Sequence, residues 1–329
     1  MIPLVDLSWQ GQPWQWQLAN AVTDANELTR LLDLPDVVAP SAFRLLVPRP
    51  FLARFEVGNA DDPLLRQVLP IAAEQAHAKG FVTDPVGDLN ATAGQGLIQK
   101  YEGRVLIVTT GACAINCRYC FRRHFPYGDF QPDSTAWDEI VSKVSADPSI
   151  REVILSGGDP LVLSDRRLAA LVSRLDAIDH VDTIRVHTRL PIVVPDRVCD
   201  ALLDWASALR ARLVMVTHAN HPNEIDEAVE DALQRLRSTG MTLLNQSVLL
   251  AGVNDNAAAL AALSRRLFAA GVLPYYLHML DPVAGAAHFD VDESTAVRLL
   301  NNLHRQLPGY LVPKLVREIE GADSKVPLS

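Results

Sequence analysis

From residue 105 onward the chain alternates strand-like runs with helical patterns, and this alternation restricts its fold most strongly. The strand-like runs are Val105–Thr109, Glu152–Ser156, Thr183–Thr188, Arg212–His218, Thr242–Leu249 and Pro274–His278. The helical patterns between them are Trp137–Ala146, Asp165–Ile178, Asp196–Ala208, Glu224–Ser238 and Ala257–Ala270. Strands that alternate with helices form βαβ units, whose crossovers make neighbouring strands parallel. The sequence therefore predicts an α/β protein with a parallel sheet, although six units are too few to close an eightfold barrel.

The first 98 residues are predicted to form a mostly helical N-terminal region. Helical patterns cover Asn26–Leu32 and Leu64–Lys79. We therefore predict three parts: the helical region over residues 1–98, the βα units over residues 99–310, and a C-terminal segment over residues 311–329. The chain has 329 residues, of which 49% are hydrophobic, so it can bury a sizeable core.

Three of the four cysteines lie in the run Cys113-Ala-Ile-Asn-Cys117-Arg-Tyr-Cys120. This C-x3-C-x2-C spacing directly follows the first strand-like run, so the thiolates are expected to share a metal. Thiolates hold iron–sulfur clusters, and three of them leave one iron of a cubane open to a further ligand. A structural zinc site with His124 as the fourth ligand is the alternative. A disulfide framework does not fit an otherwise cysteine-poor chain.

The remaining bulk properties favour a cytoplasmic enzyme. Cysteines clustered in this way indicate a reducing compartment, and Cys199, alone in a helical pattern, is expected to be a buried core thiol. The first residues lack the pattern of a signal peptide, and no apolar stretch is long enough to span a bilayer. The net charge of −9 argues against non-specific binding to nucleic acid, which requires lysines and arginines that neutralise phosphates.

The turn Ser156-Gly157-Gly158-Asp159 ends the second strand-like run. Parallel α/β proteins carry their chemistry at this end of the strands. Successive glycines allow close approach of the backbone and positive φ angles. Strand-end carbonyls and the Asp can accept hydrogen bonds from an ammonium group, so we predict a binding role for the turn.

Further polar residues follow the third and fourth runs and lie on the fifth. The fourth run leads into Thr217–Glu224, which is too densely polar to be core and in which Asn223 is suited to cap the next helix. Its two histidines lack a carboxylate at helical spacing and make a poor metal site. The residues that we predict to line a cavity and contact cofactors are Arg189, His218, Asn220 and Gln246.

The cysteine motif, with an aromatic residue before its last cysteine, resembles the radical S-adenosylmethionine (SAM) superfamily. The resemblance implies a partial (β/α)6 TIM-type barrel with a 4Fe–4S cluster on Cys113, Cys117 and Cys120. It also implies that SAM binds the open iron and that an external donor supplies the electron that cleaves SAM to a 5′-deoxyadenosyl radical. The turn from Ser156 to Asp159 resembles the motif that binds the SAM amino group.

Several separated motifs between Ile98 and Lys325 resemble the lysine 2,3-aminomutases, in the right order. These motifs are Cys113 to Arg123, the turn at Ser156, Thr217–Glu224, Asn245–Leu250 and Asp281-Pro-Val. In that family a late lysine after a glycine-rich loop forms a Schiff base with pyridoxal phosphate (PLP), and Lys325 is the matching position. Tyr101 and Arg104 match positions that hold the PLP phosphate, and Arg122 matches the arginine that binds the substrate carboxylate.

The family recognises the side-chain ammonium of its substrate with two acidic residues. Asp281 matches the first, and Glu318 stands at the second position, where the family has Asp. The glycine-rich loop here is Gly321-Ala-Asp-Ser, and the family's metal-binding C-terminal extension is missing. These departures resemble the subgroup that serves elongation factor P (the EpmB type), whose members make (R)-β-lysine from (S)-α-lysine for a ligase to attach. Arg123, unlike Arg122, is compatible with a surface arginine.

The resemblance thus implies an isomerase that moves an amino group of lysine by radical chemistry. An aminomutase for another amino acid such as glutamate is the alternative, although the acidic pair argues against an acidic side chain. Two further alternatives are a radical SAM enzyme without PLP and a non-catalytic, metal-stabilised module that binds a protein partner. Neither nucleic acid nor a membrane is expected as a partner.

Overall fold

The computed structural model describes residues 9–35, 39, 41–92, 94, 96–130 and 134–329. Within these residues one sheet of nine strands is hydrogen-bonded in sequence order. The strands are β1 (Leu97–Ile98), β2 (Arg104–Thr110), β3 (Glu152–Gly157), β4 (Thr183–Thr188), β5 (Arg212–Thr217), β6 (Thr242–Val248), β7 (Leu273–His278), β8 (Lys314–Arg317) and β9 (Val326–Pro327). Strands β2 to β7 confirm the six strands that the sequence predicts.

Strands β2 to β8 are all parallel, and the two-residue strands β1 and β9 pair antiparallel at the edges. Among the described strands the order runs from β1 to β9 without closing, so the sheet is open, as in a partial (β/α) barrel. The predicted fold class is confirmed. The structure adds a seventh parallel strand, β8, which has four residues in the C-terminal segment and was not predicted.

Helices connect the successive parallel strands. The α-helices of the described residues are α1 (Trp14–Ala19), α2 (Ala25–Leu31), α3 (Arg49–Leu52), α4 (Ser134–Ala146), α5 (Asp165–Asp176), α6 (Leu190–Val193), α7 (Asp200–Ser207), α8 (Glu227–Ser238), α9 (Ala257–Ala269) and α10 (Glu293–Gln306). Helix α8 shows why they form: Asp226 caps its start, and Val229, Leu233 and Leu236 form the apolar stripe that it buries. Helix α10 was not predicted. None of the described helices is long and apolar enough to cross a bilayer.

The N-terminal region contains α1 to α3 and several irregular segments. The predicted helix over Asn26–Leu32 corresponds to α2. The predicted helix over Leu64–Lys79 is wrong, because the structure has two short 3₁₀ helices there, Leu65–Gln67 and Ala72–Gln75. Pro70 lies between them, and a proline removes a backbone donor and disrupts a continuous helix.

One hydrophobic core joins the N-terminal region to the barrel. Leu28, Phe51 and Leu65 belong to the same buried cluster as Val153 of β3 and Leu171 of α5. A second cluster lies around α10, β7 and β8. Cys199 is half-buried at the start of α7 and packs against the first cluster rather than inside it, which corrects its predicted full burial.

Phe51→Ala is expected to lower the free energy of unfolding by about 3–5 kcal/mol, because it removes a fully buried ring and leaves a cavity. The matched control is Phe268→Ala, whose residue is 45% exposed and whose loss should cost less than about 1 kcal/mol. Urea unfolding followed by circular dichroism measures both. Equal effects would contradict a core shared between the N-terminal region and the barrel.

Candidate active site

The cysteine loop, residues 111–124, follows β2 and is bound to the N-terminal region through its backbone. The Asn116 N–H donates to the Leu46 carbonyl at 3.1 Å, and the Arg118 N–H donates to the Gln67 carbonyl at 2.8 Å. These contacts fix the loop at the carboxyl end of the sheet. The loop carries three free, half-buried thiols, those of Cys113, Cys117 and Cys120.

The three thiols lie within electrostatic reach of one another. Burial raises the pKa of the Cys113 thiol well above its ordinary value, and the charge of Cys120 raises it further. Burial also raises the pKa of Cys120 to about 11, with Cys117 as the next cause. Thiols placed in this way become stable thiolates when a cationic metal group binds them. The donor set therefore fits the three protein ligands of a 4Fe–4S cluster.

His124, the fourth ligand in the zinc alternative, contacts the segment after β7. Its Nε2 is 3.0 Å from the carbonyl oxygen of Ala284, and its side chain is exposed. In the part of the chain that the structure describes, no three His, Cys, Asp or Glu side chains are arranged to hold a single metal ion. The contact of His124 with Ala284 argues against its role as the fourth ligand of a zinc ion.

Two arginines of the cysteine loop share the buried carboxylate of Glu74. Arg118 Nε is 2.8 Å from Glu74 Oε1, and Arg123 Nη2 is 2.8 Å from Glu74 Oε2. The interpretation of Arg123 as a surface residue is wrong, since only 5% of its side chain is exposed. Burial acts to raise the pKa of Glu74, but hydrogen bonds and charges from both arginines outweigh it and lower the pKa. Glu74 thus stays ionised and clamps the loop.

Arg189 follows β4 and lies against the cysteine loop. Its Nη1 donates to Cys117 Sγ at 2.8 Å and to Tyr119 Oη at 2.9 Å. Its Nη2 donates to Glu224 Oε2 at 2.8 Å and to Gln67 Oε1 at 2.7 Å. Sequence reasoning missed Glu224 and Gln67: the only signal for Glu224 was its place in the polar segment after β5, and no motif marked Gln67.

His218 and Asn220 lie in the polar segment after β5 and meet Tyr119. The Tyr119 hydroxyl is 2.8 Å from His218 Nε2 and accepts a hydrogen bond from Asn220 Nδ2 at 2.7 Å. The His218 and Tyr119 rings stack with centroids 5.7 Å apart. Burial, followed by the charge of Arg189, lowers the pKa of His218 to about 3, so its ring stays neutral. Asn220 Oδ1 also accepts from the Val248 N–H at 2.8 Å, so this side chain links β5 to β6.

The turn after β3 packs directly against the start of the cysteine loop. A Cβ added at Gly158 would lie 2.1 Å from the Ala112 carbonyl oxygen. Gly157 has a φ of +117°, and a Cβ there would lie 2.6 Å from the Thr110 carbonyl oxygen. Tyr127 Oη donates to the Gly157 carbonyl at 2.7 Å. Both glycines are therefore required for the two loops to touch.

Asp159 and Ser156, at the two ends of the same turn, have partners within the protein. Asp159 Oδ1 accepts from Thr188 Oγ1 at 2.7 Å, and its Oδ2 accepts from the Arg189 N–H at 2.7 Å. Ser156 Oγ accepts from Arg122 Nη1 at 3.3 Å. The Asp159 carboxylate thus joins the end of β3 to the end of β4 and places Arg189.

Lys325 and Glu318 face each other across the hairpin formed by β8 and β9. The antiparallel register places the two residues side by side, and Gly321, with a φ of +77°, lies in the turn between them. The Lys325 ammonium forms an ion pair with Glu318, and Lys100 Nζ lies 3.0 Å from Glu318 Oε1. Burial acts to raise the pKa of Glu318, but the charges of Lys325 and Lys100 outweigh it and lower the pKa to about 2.

Asp281 follows β7 and belongs to the same site, but its carboxylate has no hydrogen bond or ion pair with a described residue. Burial raises its pKa to about 7, and the negative charge of Glu318 adds to the effect. Tyr101 lies close to the same charges. Burial, followed by the negative charge of Glu318, raises the pKa of Tyr101 to about 12. The site therefore holds one ionised carboxylate and one that lacks a bound cation.

Buried nitrogen atoms without partners line the interior of the barrel near Lys325. Arg104 Nε, His187 Nε2 and His278 Nε2 have no hydrogen-bond partner among the described residues. The Arg104 guanidinium lies 4.9 Å from the centre of the Tyr101 ring. An unsatisfied buried polar atom costs about 1–3 kcal/mol, so these atoms fit a polar ligand, and the Arg104 nitrogen, which can only donate, fits an anionic group.

Strands β6 and β7 contribute a wall of this interior. Gln246 pairs with Tyr276 where the register of the two strands shifts. Lys325 Nζ lies 6.0 Å from the centre of the Tyr276 ring. His278 shares the face of Tyr276, and burial, with the charge of Lys325, lowers the pKa of His278 to about 3. Polar side chains from several strands thus surround the lysine.

Arg122 is buried and paired with Asp88, which no sequence motif marked. Arg122 Nε is 2.6 Å from Asp88 Oδ2, and Lys100 Nζ is 2.5 Å from Asp88 Oδ1. Lys100 in turn contacts Glu318. Asp88 therefore connects the cysteine loop to the C-terminal hairpin.

The structure places the predicted residues in two neighbouring groups, connected through Arg122. The group around the cysteine loop contains Cys113, Cys117, Cys120, Ser156, Gly157, Gly158, Asp159, Arg189, His218 and Asn220. The group around the hairpin and the strand walls contains Lys325, Glu318, Asp281, Tyr101, Arg104 and Gln246. Because Arg122 contacts both Ser156 and Asp88, it stands between the groups.

Known proteins match nearly the whole length of the chain. The sequence profile of the Radical SAM superfamily matches residues 107–263. An L-lysine 2,3-aminomutase of Escherichia coli is 49% identical over 96% of this chain and 94% of its own length. An L-lysine 2,3-aminomutase of Haemophilus influenzae is 44% identical over 99% of this chain and 98% of its own length.

The chain belongs to the L-lysine 2,3-aminomutase family of radical SAM enzymes. This confirms the family that the motifs predict. A crystal structure of Streptococcus suis SuiB has a TM-score of 0.50 to this aminomutase at 11% identity. That likeness covers 67% of this chain and 50% of SuiB, and it supports the barrel fold alone.

Membership of the radical SAM enzymes implies a 4Fe–4S cluster and SAM. The three thiols of the aminomutase fit the cluster, because they form one donor set beside the cationic Arg189. The turn from Ser156 to Asp159 lies against the start of the cysteine loop.

Gly158→Ala is expected to reduce the iron and sulfide retained after anaerobic reconstitution, because the added methyl group cannot fit beside the Ala112 carbonyl. Gly309→Ala is the matched control, since a Cβ there meets no atom within 4 Å. Iron and sulfide analysis, with thermal unfolding of both variants, measures the effect. Equal cluster content in the two variants would contradict the tight packing of the turn on the loop.

The difference in free energy of unfolding between Asp281→Asn and the wild type is expected to move in favour of the variant as pH rises from 5 to 8. The folded pKa of Asp281, about 7, lies above its ordinary value of 3.8, so wild-type stability falls as pH rises between these values. Asn cannot ionise and escapes this loss. Urea unfolding of the cofactor-free protein at both pH values measures the difference, with the exposed Asp290→Asn as control. A difference that does not grow with pH would refute the assignment.

Proposed function

We propose that the enzyme converts (S)-α-lysine to (R)-β-lysine by radical chemistry that depends on SAM and PLP. The observation that carries the proposal is the pairing of Lys325 with Glu318 beside the unpaired carboxylate of Asp281. One acidic residue holds the chain's own lysine, and the other is open to the ammonium of a substrate lysine. The similarity to L-lysine 2,3-aminomutases over nearly the whole chain supports the same reaction.

The cysteine loop would hold the cluster and SAM. Cys113, Cys117 and Cys120 would bind three irons of the cluster. The residues that we propose for SAM are Ser156, Gly157, Gly158, Asp159, Arg189, His218 and Asn220, and Gln246 is a further proposed cofactor contact on the wall formed by β6 and β7. When bound and reduced, this pair supplies the radical that abstracts a hydrogen atom from lysine. The protein's part is to exclude water and to fix the position of the substrate.

Lys325 would hold PLP, and Tyr101 and Arg104 would hold its phosphate. Arg104 Nε is buried without a partner among the described residues, and a phosphate oxygen would satisfy it. Glu318 is the ion-pair partner of the Lys325 amine and holds it beside the site. When bound, PLP supplies the conjugated system that carries the migrating amino group.

The substrate would lie between Arg122 and Asp281. The Arg122 guanidinium would bind its carboxylate, and Asp281 with Glu318 would bind its side-chain ammonium. A bound ammonium favours the ionised form of Asp281 and lowers its pKa. A glutamate substrate would instead bring a third carboxylate beside Asp281 and Glu318, which is electrostatically unfavourable.

We assign the product to the modification of elongation factor P by a separate ligase in the cytoplasm. The support is the resemblance of Glu318 and the loop from Gly321 to the subgroup that serves this factor. An external one-electron donor is the second partner that the reaction requires.

The test is an anaerobic assay of protein reconstituted with iron and sulfide and supplied with PLP, SAM, dithionite and lysine, glutamate or arginine in parallel. β-Lysine together with 5′-deoxyadenosine from the lysine reaction is the expected result. A rearranged product from glutamate or arginine alone would replace the substrate assignment. Deoxyadenosine without any rearranged amino acid would refute the reaction and point to a PLP-independent radical SAM enzyme. Neither product, from protein with verified cofactors, would refute it and point to a binding module.

Lys325→Ala is expected to abolish β-lysine formation and PLP retention on gel filtration while leaving iron content unchanged, because Lys325 contacts the hairpin group and not the cysteine loop. The control is Lys314→Ala, which removes an exposed lysine from β8 of the same hairpin. Chromatographic analysis of products and PLP measures both. Lys325→Ala protein that makes β-lysine at the wild-type rate would exclude this lysine as the PLP ligand.

A further inference from the structure

We propose that Arg189 is a positioning residue that raises the reduction potential of the cluster by holding a buried positive charge and a hydrogen bond on the sulfur of Cys117. The inference rests on the proposed cluster at the cysteine loop. It adds control over the electron transfer that precedes the chemistry on lysine.

The contact between the guanidinium and the sulfur is direct. Arg189 Nη1 lies 2.8 Å from Cys117 Sγ, and Arg189 is 6% exposed, so water screens its charge weakly. Arg189 belongs to a different strand end from the cysteine loop and lies 72 residues further along the chain. The contact is therefore a product of tertiary packing and not of local loop geometry.

Fixed partners hold the guanidinium in this place. Glu224, which is fully buried, accepts from Nη2 at 2.8 Å, and Gln67 accepts from the same nitrogen at 2.7 Å. On the Nη1 side, the Tyr119 hydroxyl accepts at 2.9 Å. The carboxylate of Glu224 thus binds the nitrogen that points away from the sulfur. The positive end of this buried pair faces Cys117.

A positive charge at a ligating sulfur favours the reduced cluster. An external donor adds one electron to the oxidised cluster without forming or breaking a bond, so the cluster becomes more negative by one charge. Hydrogen bonds to the sulfurs, net charge and solvent exposure are the properties by which proteins set such potentials. Arg189 remains protonated throughout and is not consumed.

The chain offers a matched control in Arg197. This residue is fully buried and pairs with Asp165 at 2.8 Å, as Arg189 pairs with Glu224. Its other partners are the carbonyls of Leu161 and Leu163 and, at 3.6 Å, Cys199 Sγ, none of which belongs to the cysteine loop. Arg197→Gln therefore removes an equivalent buried ion pair without removing a charge from Cys117, and Cys199 is not one of the proposed cluster ligands.

The experiment compares the wild type with Arg189→Gln, Arg189→Lys and Arg197→Gln. Each protein is reconstituted anaerobically, its iron and sulfide are measured, and its midpoint potential is determined by dithionite titration followed by electron paramagnetic resonance. Arg189→Gln is expected to shift the midpoint to more negative values. Arg189→Lys, which keeps the charge but loses the forked geometry, should lie between Arg189→Gln and the wild type. Arg197→Gln should match the wild type.

An unchanged midpoint in Arg189→Gln with full cluster content would overturn the inference, as would an equal shift in Arg197→Gln. If Arg189→Gln retains no cluster, Arg189→Lys decides: a midpoint below the wild type supports the inference, and an unchanged one overturns it. Wild-type protein that binds no iron or sulfide would instead refute the proposed cluster site, and the inference with it.

Discussion

Buried arginines, each paired with a carboxylate, are the constraint on which the site depends. The pairs are Arg118 and Arg123 with Glu74, Arg122 with Asp88, and Arg189 with Glu224. A charge buried without a partner costs several kcal/mol, so each arginine requires its carboxylate to be in place. Glu74 and Asp88 come from the N-terminal region, whereas the arginines that they bind come from the cysteine loop. The N-terminal region is therefore part of the site and not an appendage to the barrel.

The two acidic residues near Lys325 show how neighbours separate chemically similar groups. Glu318 has Lys325 and Lys100 beside it, and its pKa falls to about 2. Asp281 is half-buried and has no ion pair with a described residue, and desolvation raises its pKa to about 7. Pairs of carboxyl groups whose pKa values are driven apart commonly take different roles. Before the substrate enters, Glu318 keeps Lys325 in position and Asp281 is free; in the proposed reaction both carboxylates then face the substrate ammonium.

The sequence predicted the sheet and the cysteine loop well, because both depend on local patterns. Alternating apolar runs located β2 to β7, and cysteine spacing located the donor set. The helix predicted over residues 64–79 does not form, because Pro70 interrupts it even though the apolar periodicity continues past that residue. The partners of the buried arginines could not be predicted, because they meet through tertiary contacts: Gln67 and Glu224, for example, are 157 residues apart and touch at 3.1 Å. No spacing rule connects such residues.

The turn after β3 and the arginine at the cysteine loop act together through Asp159. The Asp159 carboxylate accepts the backbone N–H of Arg189, so the start of α6 is placed by the same turn whose glycines touch the cysteine loop. Moving the turn would therefore move both the proposed SAM-binding carbonyls and the guanidinium at Cys117. The site that would bind SAM and the charge that would tune the cluster are consequently built on one hydrogen-bonded connection between β3 and β4. Their geometry can change together but not independently, which explains why close-packed glycines and a buried carboxylate occur in the same four-residue turn.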